Sequence, residues 1–262
     1  MTEAVPAPLV FITGASSGIG QALAARYLHA GWRLALVARR GDSLRDWAAQ
    51  RGLDAARCAV YEADVQQIDS IVAAGRACIE AQGLPAVVIA NAGISVGVDS
   101  GNRGDLDALR DTFATNTVGL AATFHPFVNP MRKRRSGCLV GIASVAAIRG
   151  LPGHGAYCGS KAAVVAYCES LRGECRPFGV QVVTLLPGYI ATPLTARNPY
   201  PMPFLMTAEA FADQAFRAIE AGTSYRVIPW QMGVVAKLLR MLPNAWFDRV
   251  VAGRRRKPRR GD

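Results

Sequence analysis

The stretch Leu9-Val10-Phe11-Ile12-Thr13-Gly14-Ala15-Ser16-Ser17-Gly18-Ile19-Gly20-Gln21 passes from an aliphatic strand into a glycine-rich turn and then into a helix-like segment, Ile19 to Ala30. Gly14, Gly18 and Gly20 let the backbone turn tightly and come close to a pyrophosphate, while free N–H groups at the helix start face its negative charge. Ser16, Ser17 and Ile19 complete the turn. The spacing G-x-x-x-G-x-G departs from the G-x-G-x-x-G fingerprint, and glycines alone could serve only the turn. The order strand, turn, helix near the N-terminus is what points to a dinucleotide.

Similar short aliphatic runs recur at Leu34–Ala38, Ala86–Ala90, Cys138–Ile142, Val180–Leu186 and Arg226–Ile228, with a weaker one at Arg57–Tyr61 and helix-length segments between them. Strands alternating with helices of this length need crossover connections, which imply a parallel sheet covered on both faces. The expected fold is α/β, a Rossmann-type doubly wound seven-stranded parallel sheet with helices on both faces. We divide the chain into a single catalytic and coenzyme-binding domain, 1–229, and a C-terminal helical extension with a basic tail, 230–262. The proline-rich stretch from Pro187 to Pro203 follows the sixth strand, where a loop would overhang the carboxyl edge as a lid.

About twenty residues beyond the turn, an NAD site usually carries an acidic residue for the adenine ribose. Here the second strand ends Val37-Ala38-Arg39-Arg40. Guanidinium groups bind a 2′-phosphate through bidentate charge-assisted hydrogen bonds, so NADP(H) is preferred, with NAD(H) as the alternative. Arg39 is the favoured residue of the pair, and a solvated arginine pair is the bland reading.

Tyr157-Cys158-Gly159-Ser160-Lys161 opens a helical segment reaching about Arg176, and the i, i+4 spacing puts phenol and ammonium on one face. An adjacent cation stabilises a phenolate and so draws the phenol toward acid–base work near neutral pH. Such a pair is common by chance on helix surfaces, but a buried strand, Cys138 to Ile142, leads to a hydroxyl at Ser144, thirteen residues before Tyr157. Ligands of doubly wound sheets sit beyond the carboxyl ends of strands, where Ser144 emerges.

Together these motifs resemble the short-chain dehydrogenase/reductase family from about Leu9 to Pro193. The resemblance implies that Thr13 to Gly20 is the coenzyme turn and that Asp64 and Val65 hold adenine by carboxylate and backbone. Asn91-Ala92-Gly93 resembles the family's Asn-Asn-Ala-Gly motif, with Ala90 in place of the first Asn, and Gly159 stands where Ala is commoner. Asn116, Ser144, Tyr157 and Lys161 match the catalytic tetrad, Asn116 through a helix carbonyl that positions a water. Pro187, Gly188, Ile190 and Thr192 match the loop that orients the nicotinamide. The implied chemistry is hydride transfer between NADP(H) and a carbonyl or secondary alcohol, an NAD(P)-dependent dehydrogenase/reductase reaction. Ser144 holds the carbonyl oxygen, Tyr157 supplies the proton, and Lys161 both binds the nicotinamide ribose and acts on Tyr157. The family's pairing of the Asn116–Met131 and Tyr157–Arg176 helices implies a homodimer or homotetramer.

The formal charge of +11 invites a nucleic-acid reading, yet Gly253 to Asp262 hold six basic residues and one acidic one, so the excess concentrates in a tail expected to be solvated and mobile. No aromatic residue interleaves the charges from Arg254 to Arg260, which argues against single-strand binding. The six cysteines form no C-x-x-C pair and lie in apolar segments, so buried thiols are expected and no metal. No apolar run reaches the ~18 residues of a membrane span, and a cytoplasmic protein is expected. His154 reads as a bystander, His29 and His125 as helix positions, and Trp230, Trp246 and Phe247 as packing or interface aromatics.

Substrate specificity belongs to Val96–Gly104, Ala146–His154 and Tyr189–Met206. Ile94, Val96, Ile148, Leu151, Tyr189, Pro203, Phe204 and Leu205 suggest an apolar pocket and a substrate without strong charge. After Trp230, two short apolar stretches separated by Pro243 carry Lys237, Arg240 and Arg249. They suit cover for the pocket or a partner subunit, or weak peripheral contact with anionic lipid. A different class of function, a coenzyme-binding sensor or scaffold without turnover, would be expected to lack Tyr157 or Lys161.

Overall fold

The computed structural model describes residues 6–196, 198–253 and 256–259. The first five residues and Arg254, Arg255 and Arg260 of the basic cluster lie outside the described residues. In chain order the elements are β1 Leu9–Thr13, α1 Gly18–His29, β2 Arg33–Ala38, α2 Asp42–Ala49, β3 Cys58–Glu62, α3 Ile68–Gln82, β4 Val87–Ala90 and α4 Asp105–Phe113. They continue with α5 Gly119–Arg134, β5 Cys138–Ile142, α6 Gly155–Cys175, β6 Gln181–Pro187, β7 Ile190–Ala191, β8 Met206–Thr207, α7 Ala208–Glu220, β9 Tyr225–Ile228, α8 Trp230–Met241 and α9 Asn244–Val251.

Seven strands form one sheet in the order β3-β2-β1-β4-β5-β6-β9, every pair parallel. The central strands are buried on both faces, which explains their unbroken aliphatic runs. Alternation along β1 sends Val10 and Ile12 to one core with Leu23, Tyr27 and Phe211, and Leu9 and Phe11 to the other with Ile71, Phe127 and Val164. Helices α1, α2 and α7 therefore cover one face, and α3, α5 and α6 the other. The order reverses between β1 and β4, which opens a crevice at their carboxyl ends.

Three boundaries depart from expectation. The weak edge segment is a full five-residue strand, Cys58–Glu62, paired along its length with β2. The segment expected as a helix from Asn116 to Met131 begins as a π-turn, Ala114–Val118, and continues to Arg134 with Pro126 and Pro130 inside it. The lid is tied down by a two-stranded parallel ribbon, β7 with β8.

Residues 256–259 depart furthest. Instead of a solvated tail they form a strap across the substrate loops: Gly97 N–H donates to the Pro258 carbonyl at 2.9 Å, and Arg259 pairs with Asp105 at 2.8 Å. Arg256 lies 3.7 Å from Asp99. A Cβ at Gly97 would overlap the Lys257 carbonyl oxygen, so glycine is what admits the strap. Two acidic partners and this gap explain why the charge excess docks here.

Candidate active site

The crevice at the carboxyl ends of β1, β4, β5 and β6 is a single cleft. Gly14, Ser16, Ser17, Gly18 and Ile19 line one wall, with Arg39, Asp64 and Val65 at one end. Asn91, Ala92, Gly93, Ser144, Tyr157 and Lys161 line the middle, and Pro187, Gly188, Ile190 and Thr192 the far side. Gly14 and Thr192, 178 positions apart in the chain, thus face one space.

The turn is held from below. Gly14 has φ +66°, which favours glycine, and a Cβ on Gly20 would overlap the Gly14 carbonyl oxygen. Asn91 Nδ2 donates to the carbonyls of Thr13 and Gly14 at 3.0 and 3.2 Å, and Thr13 Oγ1 accepts from the N–H groups of Asn91 and Ala92 at 3.1 and 3.2 Å. Ser17 at the start of α1 makes no side-chain cap and the first turn carries no acidic residue. The unsatisfied N–H groups there suit an anion, so the turn fits a dinucleotide pyrophosphate.

Of the two arginines after β2, Arg39 lines the cleft and Arg40 does not; consecutive residues leave a strand on opposite sides. Gly20 and Asn116 also lie behind the lining. Asn116 is fully buried in the π-turn, where Oδ1 accepts from Ile94 N–H at 2.8 Å and Nδ2 donates to the Ile94 carbonyl and Ser160 Oγ, both at 2.9 Å. Ser160 Oγ in turn donates to the Tyr157 carbonyl at 2.9 Å. Asn116 thereby ties the loop after β4 to the first turn of α6.

Ser144 accepts from Ala146 N–H at 3.1 Å and hydrogen-bonds the Tyr157 phenol. Burial is the largest influence on Tyr157 and raises its pKa, opposed by the Ser144 bond. This direction differs from the expected cationic lowering. Lys161 is itself buried, donates to the Ile142 carbonyl at 2.8 Å, and sits 5.9 Å from the Tyr157 ring centroid. Burial brings the lysine down to about 8.

Sequence reasoning missed Gln66 and Thr115, which line the cleft and bond to each other at 2.7 Å. It also missed Thr195, whose Oγ1 donates to the Ile190 carbonyl at 2.6 Å and braces the loop. Of the expected apolar residues, Ile94 lines the cleft, whereas Phe204 and Leu205 are about half exposed, 50% and 48%. His154 is more than a bystander in geometry: Nδ1 lies 3.1 Å from the Pro152 carbonyl and Nε2 3.3 Å from the Tyr200 hydroxyl. Phe247 is buried under the Arg149 guanidinium, 3.8 Å from its ring centroid, but Trp230 and Trp246 pack against nothing comparable and stay exposed.

Comparison with known proteins places the chain in a family and a fold. The profile of the short chain dehydrogenase family matches residues 8–201. An uncharacterized oxidoreductase of Myxococcus xanthus is 38% identical over 241 residues, covering 90% of this chain and 93% of that protein. An uncharacterized oxidoreductase of Mycobacterium tuberculosis is 35% identical over 249 residues, with 93% and 97% covered. A Burkholderia cenocepacia short chain dehydrogenase solved in complex with NADP superposes with a TM-score of 0.79 at 22% identity, over 94% of this chain and 98% of that one. One from Burkholderia phymatum, in complex with NAD, gives 0.79 at 24% identity, over 88% and 92%. The chain belongs to the short chain dehydrogenase family and is an oxidoreductase of that family.

Proposed function

We propose that this protein is an NADP(H)-dependent oxidoreductase acting on a carbonyl compound or secondary alcohol with an apolar body. The observation that carries the proposal is that one cleft is lined both by the glycine turn and by Ser144, Tyr157 and Lys161. When bound, the nicotinamide coenzyme supplies or accepts the hydride. Gly14, Ser16 to Ile19, Asp64, Val65, Asn91 to Gly93 and the loop Pro187 to Thr192 would hold it, with Arg39 toward a 2′-phosphate. Arg39 favours NADP(H) because a guanidinium pairs bidentately with phosphate and no carboxylate takes its place at the end of β2.

In reduction, Ser144 donates to the carbonyl oxygen and fixes its position. Tyr157 gives its proton to that oxygen as negative charge develops, and a buried phenol is protonated and ready to do so. Lys161 faces the cleft beside Tyr157, placed to bind the ribose hydroxyls and to stabilise the phenolate left behind. Asn116 acts as a positioning residue through the π-turn. The balance is one carbonyl, one hydride and one proton in, one alcohol out.

We assign catalysis and coenzyme binding to residues 1–229 and an accessory role to 230–262. Among the described residues no helix is long and apolar enough to cross a membrane. The outer faces of α8 and α9 expose Trp230, Leu238, Met241 and Trp246 beside Lys237, Arg240 and Arg249. This face supports two uses, pairing in a homodimer or homotetramer and weak peripheral contact of a cytoplasmic protein with anionic lipid. Salt-sensitive co-sedimentation with anionic but not neutral vesicles would single out the second.

The functional proposal is tested by following NADPH and NADH consumption against a broad panel of aldehydes and ketones. Turnover favouring NADPH is expected. NADPH binding without turnover on any of them would instead indicate a coenzyme sensor.

A further inference from the structure

The strap brings one more cation to the substrate side. Lys257 Nζ donates to Ser95 Oγ at 3.1 Å and to the Leu194 carbonyl at 3.3 Å. Leu194 lines the cleft that holds Tyr157, and Ser95 follows Ile94, which lines it too. Lys257 is partly buried, and both of its partners are neutral. The nearby carboxylates are engaged elsewhere: Asp99 faces Arg256 and Asp105 pairs with Arg259. Among the described residues no carboxylate forms an ion pair with Lys257.

An ammonium group has three N–H donors, so the two bonds leave one, and Ser95 Oγ, which accepts from Lys257, keeps its own hydrogen to donate. Both groups adjoin the lining of the cleft, Lys257 through Leu194 and Ser95 through Ile94, and Lys257 also lines a small neighbouring cavity with Val98 and Asp99. The neighbouring imidazole does not compete for an anion. A carbonyl can only accept, so His154 carries its proton on Nδ1 toward Pro152 and accepts a hydrogen bond from the Tyr200 hydroxyl at Nε2. Burial first, and the charge of Lys257, lower the pKa of His154 against the opposing Pro152 bond and so favour its neutral form. Burial first, then the neighbouring Tyr189 and Tyr157 phenols, raise the pKa of Tyr200.

We propose that Lys257 and Ser95 form an anion subsite at the outer end of the cleft, so that the preferred substrates are carbonyl compounds or alcohols carrying a carboxylate away from the reacting carbon. The proposal rests on the oxidoreductase reading and deepens it. It revises the expectation of a charge-free substrate: the body stays apolar and the far end does not. A partly buried ammonium with only neutral partners is costly by itself and gains most from a ligand anion.

The test uses the full-length protein saturated with NADP⁺, which cannot reduce a ketone, and a graded series of oxo acids against their methyl esters. Calorimetric titration should show at least one acid binding about tenfold or more tighter than its ester, the range for a hydrogen bond to a charged group. In Lys257→Gln that preference should fall to within about twofold, and Lys257→Arg should keep most of it. Equal affinities of every acid and ester in the natural protein, or a preference unchanged in Lys257→Gln, would overturn the subsite. Turnover of the same compounds with NADPH separates the two proposals: acids bound through Lys257 but not reduced, with no other aldehyde or ketone of the panel reduced either, would defeat the proposed carbonyl reaction and leave the subsite standing.

Discussion

Where Thr13, Gly14 and Asn91 meet, neighbouring strand ends are fastened by four hydrogen bonds of 3.0–3.2 Å that involve backbone groups at one end or the other. Where Lys257, Ser95 and Leu194 meet, a chain end returns over 162 residues of sequence to rest on a side chain and a carbonyl. The wall assigned to the coenzyme is built from strand ends and the glycine turn. The wall assigned to the substrate is assembled from loops and a strap held by ion pairs. The difference teaches that the first wall follows from the sheet, whereas the second depends on a few residues distant in sequence.

Each wall can be broken separately. Tyr157→Phe removes the proposed proton donor where the two walls meet, and steady-state kinetics should show turnover lower by about 10²–10⁴, the usual contribution of a general acid. Coenzyme affinity should stay nearly intact. Arg39→Asp acts on the coenzyme wall alone: the ratio of kcat/KM for NADPH over NADH should swing by about 2–4 kcal/mol, as for truncating one side of a charge-assisted pair. A natural protein that already prefers NADH would break this assignment.

Gly20→Ala places a methyl group on the Gly14 carbonyl oxygen. Overpacking of this kind costs about 1–3 kcal/mol, to be read as weaker NADPH binding by fluorescence titration, with the strap untouched. The smallest effect belongs to the strap. The Asp99 backbone N–H is the largest influence on the Asp105 carboxyl and, with Arg259, holds its pKa below the ordinary value. A depressed pKa means the contribution is present at neutral pH and is lost as pH falls through the carboxylate range, about 4 and below. The protection factor of the Gly97 amide, whose N–H is held by Pro258 at 2.9 Å, should therefore fall in acid once the intrinsic rate at each pH is divided out, whereas Asp105→Asn should show a low, nearly pH-independent protection factor. Unchanged protection in that variant would detach Asp105 from the strap.

The same contrast governs what was legible beforehand. The parallel seven-stranded sheet, the glycine turn, Ser144 and the Tyr157–Lys161 pair follow from aliphatic periodicity, glycine spacing and i, i+4 geometry, all local signals. The helix boundary differs where locality fails: the π-turn at Ala114–Val118 adds no residue pattern of its own, while Pro126 and Pro130 sit inside the helix as expected from Asn116 to Met131. Separating Arg39 from Arg40 required the direction in which each leaves β2. Nothing near Arg256 to Arg259 marks Asp99, Asp105 and Gly97 as partners, so the tail read as solvated charge. Gln66 and Thr115 were each adjacent to motif residues, yet their bond joins segments 49 residues apart.

The central claim, hydride exchange between the coenzyme and a substrate carbonyl, is tested most directly by an isotope. NADPH deuterated at the transferable position of the nicotinamide is incubated with the protein and any carbonyl compound it turns over, and the product alcohol is analysed by mass spectrometry and NMR. The account predicts one deuterium, bound to the carbinol carbon, with the new hydroxyl hydrogen coming from solvent-exchangeable Tyr157. An alcohol formed without deuterium at that carbon would contradict it.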